Sequence, residues 1–141
     1  MRRRQFRLTI YPASVKHTLT VLVFPDRVSM REYLAKVDSA HAWDGPEGDI
    51  PSGAYWSGPF NWGQAGHSGT IVLNETDLDA STTVHECAHA AQHIYAMRYG
   101  SRSSLARRHM HGSNENFAYL MGDLTKLLLR RLQAGGYTVT S

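Results

Sequence analysis

His85, Glu86 and His89 are the residues of this chain whose types and spacing could do chemistry together. They stand in the stretch Ser81-Thr82-Thr83-Val84-His85-Glu86-Cys87-Ala88-His89. On a helix, residues four apart lie one turn above each other on the same face, so both imidazoles can point at a single ion. Imidazole nitrogen suits zinc. Glu86 would lie about 100° around the helix from His85, within reach of a water in an open coordination position whose proton it could take. The bland alternative is a polar helix face with two solvated histidines. Three local features favour ligation: N-cap candidates at Ser81 to Thr83, a small apolar stripe at Val84, Ala88 and Ala91, and Gly100 where a C-cap glycine would sit.

A catalytic zinc takes three protein ligands and leaves a fourth position for water, so two histidines are not sufficient. The extension that places Gly three residues and His six residues after the second histidine fails, because those positions are Gln92 and Tyr95. His93 shares the helix face of His89, but three histidines stacked over two turns would hardly converge on one ion, and His93 reads as a supporting or simply polar residue. Glu115, in the first turn of a second helix, could swing toward the first helix if the two pack antiparallel. The competing reading is that it only complements the helix dipole. Ala88 and Ala91 on one helix and Ala118 and Gly122 on the other would permit a close approach.

The elements that must position these residues can be read in order. Arg7 to Tyr11 and Leu19 to Phe24 read as short strands around the turn residues Pro12, Ala13 and Ser14. Residues 29 to 38 read as a short amphipathic helix capped by Ser29, with Met30, Tyr33, Leu34 and Val37 at helical spacing. From Ala42 to Gly69, seven glycines and three prolines mark a mostly irregular segment. It holds a possible strand at Ala54 to Trp56 and four large rings, Trp43, Trp56, Phe60 and Trp62, which cap the core or wall a cleft. Thr70 to Asn74 is the clearest strand, and if it lies at a sheet edge an extended peptide could pair with it. The first long helix is expected at about 81 to 99, and the second from Asn114 to Leu132, capped by Ser113, with Phe117, Leu120, Met121, Leu124, Leu127 and Leu128 as its apolar face.

With 141 residues the chain reads as one domain, 1–141, large enough to bury a core without disulfides. Its single cysteine, Cys87, would face away from the metal and pack. No apolar run is long enough for a bilayer and the basic start lacks the apolar stretch of a signal peptide, so a cytoplasmic setting is expected, with no membrane partner. Fifteen Lys and Arg against twelve Asp and Glu give a net charge of +3, clustered at Arg2 to Arg7, Arg98 to Arg108 and Lys126 to Arg131. A nucleic-acid partner has no support beyond this charge, and a solvated basic face explains it as well.

His85-Glu86-x-x-His89 followed by Asn114-Glu115 at the head of a second helix resembles the gluzincin metallopeptidases, in a minimal form. The tract Glu115-Asn116-Phe117-Ala118-Tyr119-Leu120-Met121-Gly122 also looks like that of small His-Glu-x-x-His proteins encoded by phages and prophages. The resemblance covers about residues 70 to 130. It implies a zinc ion held by His85, His89 and Glu115, Glu86 as general base and acid, and a peptide or protein substrate, in a host cytoplasm if the chain is phage-encoded. The implied fold is α+β and zincin-like: a small twisted, mostly antiparallel sheet packed on the His-Glu-x-x-His helix and a second ligand-bearing helix. The chain departs from the thermolysin pattern four residues after the ligand glutamate, where an aspartate is replaced by Tyr119. Asp123 could substitute for it, or Tyr119 could contact a ligand. The oxyanion stabiliser is open among His109, His111 and Tyr119. Two other readings stand beside this one. His111 as third ligand would give a three-histidine site similar to the SprT or Spartan type, acting on DNA-associated protein; alternatively, the zinc would serve a non-catalytic phage protein.

Overall fold

In the computed structural model, which describes residues 3–37, 52–56, 67–99 and 115–141, the chain is α+β. The elements run β1 (Arg4–Ile10), β2 (His17–Phe24), α1 (Arg27–Val37), β3 (Gly53–Trp56), β4 (His67–Asn74), α2 (Ala80–Tyr99) and α3 (Glu115–Ala134). The four strands form one sheet in the order β1-β2-β4-β3. β1 pairs antiparallel with β2, β2 parallel with β4, and β3 antiparallel with β4. The expected sheet was mostly antiparallel; the parallel β2–β4 centre makes it mixed.

The central strands show why this order forms. Leu22, Val23 and Phe24 on β2 and Ile71, Val72 and Leu73 on β4 are all buried, as expected of strands covered on both faces. On one face Leu19, Val21, Ile71 and Leu73 pack against Cys87, Ala91 and Ile94 of α2 and Leu120, Leu124, Leu128 and Leu132 of α3. On the other, Leu22, Phe24, Ala54 and Val72 pack against Met30 and Leu34 of α1. β1 alternates instead: Leu8 and Ile10 are buried and Arg7 and Thr9 exposed, the period-two pattern of a strand wet on one side.

Three sequence expectations are corrected here. β4 is an inner strand and the sheet edges are β1 and β3, so an added peptide strand on this side of the sheet would lie against Gly53–Trp56. α2 begins at Ala80 and is capped by Asp79, whose Oδ1 accepts from the Thr82 amide at 2.7 Å, and not by Ser81 to Thr83. α1 is likewise capped by Asp26, whose Oδ1 accepts from the Ser29 amide at 2.7 Å. In both cases a carboxylate stands three residues ahead of the amide it caps, where its geometry is best.

α3 stops at a Schellman turn: Tyr137 donates to the Leu132 carbonyl and Gly136 to that of Gln133, both at 3.0 Å. Gly136 takes φ 87°, which suits glycine. The chain beyond returns to α2, where the Ala80 amide donates to the Thr140 carbonyl at 2.8 Å and Thr140 donates to the Leu78 carbonyl at 3.1 Å. The turn between β4 and α2 is tied to α1 by a two-pronged pair, Arg27 to Asp77 at 2.5 and 2.7 Å, and Asn74 also donates to Asp77. The start of the site helix is thus fixed from three directions.

Candidate metal centre

α2 presents different residues to different neighbours according to their angle around its axis. Cys87, Ala90, Ala91, Ile94 and Tyr95 are buried toward the sheet and α3, while His85 and His89 are exposed on the remaining side. The helix does bring the two imidazoles together: their Nε2 atoms are 3.1 Å apart, with rings at 81° and centroids 4.7 Å apart. Two nitrogens each about 2.0–2.1 Å from one tetrahedral ion are separated by about 3.3 Å, so the pair fits a shared zinc. The same separation suits an N–H···N hydrogen bond, so the pair supplies two ligand positions and leaves the remainder to other residues.

Glu86 behaves differently from its neighbours. It is only 4 % exposed, and its Oε2 has no hydrogen-bond partner among the described residues. Burial pushes its carboxyl pKa up to about 7, since little around it favours the charged form. A buried polar atom without a partner is uncommon and points to a group that belongs beside it. Glu86 and His85 line one cleft of about 240 Å³ together with Ser52, Gly53, Ser81 and Thr82. Glu86 and His85 therefore border the same cleft.

The cleft lies where α2 meets the edge strand. Beyond it along α2, His93 is half-buried with its ring edge-on to Tyr55 of β3, centroids 5.8 Å apart, and burial lowers the His93 pKa. The Tyr55 hydroxyl donates to the Ser68 carbonyl, and its ring lies where a side chain on Gly69, at φ 137°, would have to go. β3 is thereby pinned to β4 on one side and rests on the site helix on the other.

No protein-family model, curated protein or solved structure matches this chain. Its reading rests on its own geometry.

The third ligand is less defined than the pair. Glu115 is the first residue of α3, and its side chain lies outside the described atoms, as do His109 and His111. Among the described residues no third His, Cys, Asp or Glu joins His85 and His89. α2 and α3 do pack antiparallel: Cys87 lies beside Thr125, and Tyr95 meets Phe117 edge-on with centroids 5.7 Å apart. That register sets Glu115 beside residue 97, eight residues past His89, or about 12 Å along the helix axis.

Several expected supports are placed elsewhere. Ala118 is exposed, and none of the described residues lies within 4 Å of a Cβ built on Gly122, so neither residue mediates the described helix contact. Tyr119 is 68 % exposed and Asp123 is exposed, and no hydrogen bond joins either to the histidines. Cys87 packs as expected, fully buried, with burial raising its thiol pKa to about 11.

Sequence reasoning missed Asp79 and Gly53. Asp79 could have been found by counting three residues back from Thr82. Gly53 is one of many glycines in its segment, and nothing local distinguishes it.

Proposed function

We propose that the chain is a zinc-dependent peptide hydrolase of a minimal, zincin-like kind, with His85 and His89 as ligands, a third ligand from Glu115 or His111, and Glu86 as general base and acid. The observation that carries this reading is the contrast within one helical turn: an exposed histidine pair at ligand spacing next to a buried carboxylate whose Oε2 has no partner among the described residues, with Glu86 and His85 lining one cleft. Zinc bound there would polarise a peptide carbonyl and lower the pKa of its water. Glu86 takes the proton of the attacking water as its oxygen adds to the carbonyl carbon. It then passes that proton to the amine as the carbon–nitrogen bond breaks.

The sheet supports a place for the substrate. Among the described residues β3 has a strand on one side only, so an extended peptide can pair with its free edge directly above α2. At the opposite edge, Arg131 occupies one β1 carbonyl, donating to that of Arg7 at 2.9 Å, and the Arg4 side chain donates to the Gly135 carbonyl at 2.5 Å.

The experiment is a cleavage assay of the zinc-loaded protein against a broad peptide panel, with Glu86→Gln alongside. Cleavage by the wild type and zinc retention without cleavage in the variant are expected; a wild type that cleaves nothing removes the enzymatic reading.

A second reading takes His111 as third ligand, in the SprT-like manner, and the axial offset of Glu115 from His89 favours it. Zinc affinity in Glu115→Ala and His111→Ala separates the two, because only the true ligand's removal weakens binding strongly.

A further inference from the structure

The edge strand and the site helix meet at a position that has no side chain. A Cβ built on Gly53 would lie 3.1 Å from Cγ2 of Thr82, 3.1 Å from the Val72 carbonyl oxygen and 3.2 Å from Cγ of Glu86. Thr82 and Glu86 are one turn apart on α2, so the bare backbone of Gly53 sits in the notch between them. Gly53 is not one of the glycines with positive φ, so its conformation would accept alanine. What disfavours alanine is the closeness of the helix.

The three neighbours are not equally able to move. Val72 is buried in β4 at the middle of the sheet. The Thr82 backbone is held by its N–H, which donates to Oδ1 of Asp79 at 2.7 Å. The Glu86 side chain is flexible, and its Oε2 is bonded to nothing among the described residues, so it is the neighbour that yields.

We propose that Gly53 is a positioning residue for Glu86: by leaving the notch unfilled it sets the stem of the side chain against β3, so that the carboxylate enters the cleft beside His85. What Glu86 does there rests on the hydrolytic reading; how it is placed does not. Sequence gives a glycine at this point for the sake of a carboxylate thirty-three residues later.

The test compares wild type, Gly53→Ala, Thr82→Ser and the double variant, each as the full zinc-loaded chain. One arm records the carbon-13 resonance of the Glu86 carboxyl carbon; the other measures kcat and KM on a peptide that the wild type cleaves. A displacement of a few tenths of an ångström at a reacting group is expected to lower kcat about tenfold. KM and zinc affinity should stay within about twofold, because the histidines do not move. Serine lacks Cγ2, so in the double variant the new methyl leans toward residue 82, and both the resonance and kcat return most of the way. A merely structural effect would lower thermal stability without moving the Glu86 resonance or splitting kcat from KM. An unchanged resonance in Gly53→Ala overturns the proposal, as does a double variant no nearer to wild type than Gly53→Ala. A wild type that cleaves no peptide overturns the hydrolytic reading instead, and the resonance arm still decides the placement of Glu86.

Discussion

Nε2 of His85 lies 3.1 Å from Nε2 of His89, on the side of α2 that the sheet and α3 leave uncovered. Both nitrogens are available to one ion from solvent. Removing either imidazole should therefore weaken zinc binding severely. His89→Ala is expected to lose more than about 100-fold in zinc affinity, since even residues that only orient a ligand cost 10- to 100-fold. Its fold should be intact, because His89 is exposed. Competition with a chromogenic chelator gives the affinity, and circular dichroism checks the fold.

Glu86→Gln should separate chemistry from stability. General base catalysis is worth about 10²–10⁴ in rate, and the zinc-loaded variant should lose at least that in kcat/KM. In the metal-free protein the same change replaces a buried carboxylate, whose Oε2 has no partner among the described residues, with a neutral amide. It should be neutral to stabilising, by up to about 1–3 kcal/mol. Denaturant unfolding at neutral pH measures this, and marked destabilisation would show that the carboxylate has a structural partner.

Asp79→Ala removes the cap of the site helix. The expected cost is about 1 kcal/mol, concentrated in the first turn that Asp79 Oδ1 holds through the Thr82 amide at 2.7 Å. Amide hydrogen exchange should speed up at Thr82 and Thr83 and change little at Ile94. Uniform acceleration along α2 would mean that the turn is held mainly by the returning segment at Thr140.

Asp77 gives the fold a pH dependence of known sign. Its hydrogen bond from Arg27 holds its carboxyl below the ordinary value of 3.8, burial opposes this, and Asn74 adds to it. A carboxyl whose pKa is lower in the folded state contributes stability above the unfolded value, and that contribution is lost as pH falls through the folded value. Asp77→Asn should thus destabilise the protein at pH 7 by about 1–3 kcal/mol, with the difference from wild type shrinking below pH 4. Thermal melts of both proteins from pH 7 to pH 3 would reveal it.

Much of this architecture is legible in local pattern. The two-residue alternation in β1, the continuous apolar run Ile71-Val72-Leu73 and the four-residue spacing of Leu120, Leu124, Leu128 and Leu132 each announce their element. The pairing of His85 with His89 follows from helical geometry alone. What could not be read depends on contacts distant in sequence. That β4 lies inside the sheet is decided by β2 on one side and β3 on the other. That Gly122 meets none of the described residues depends on which face of α3 meets α2, and the leucine stripe settles this only once the sheet is in place. Gly53 matters because Glu86 passes beneath it. The residues 38–51, 57–66 and 100–114, with Trp43, Phe60, Trp62, His109 and His111, lie outside the described residues.

The measurement that bears most directly on the central claim is X-ray absorption at the zinc edge of the purified, zinc-loaded protein. The account predicts about one zinc per chain with two imidazole nitrogens at about 2.0–2.1 Å, a further protein ligand and one water oxygen. Glu86→Gln should leave that coordination unchanged, and His89→Ala should abolish it. A chain that retains no zinc, or a zinc spectrum without imidazole scattering, would contradict it.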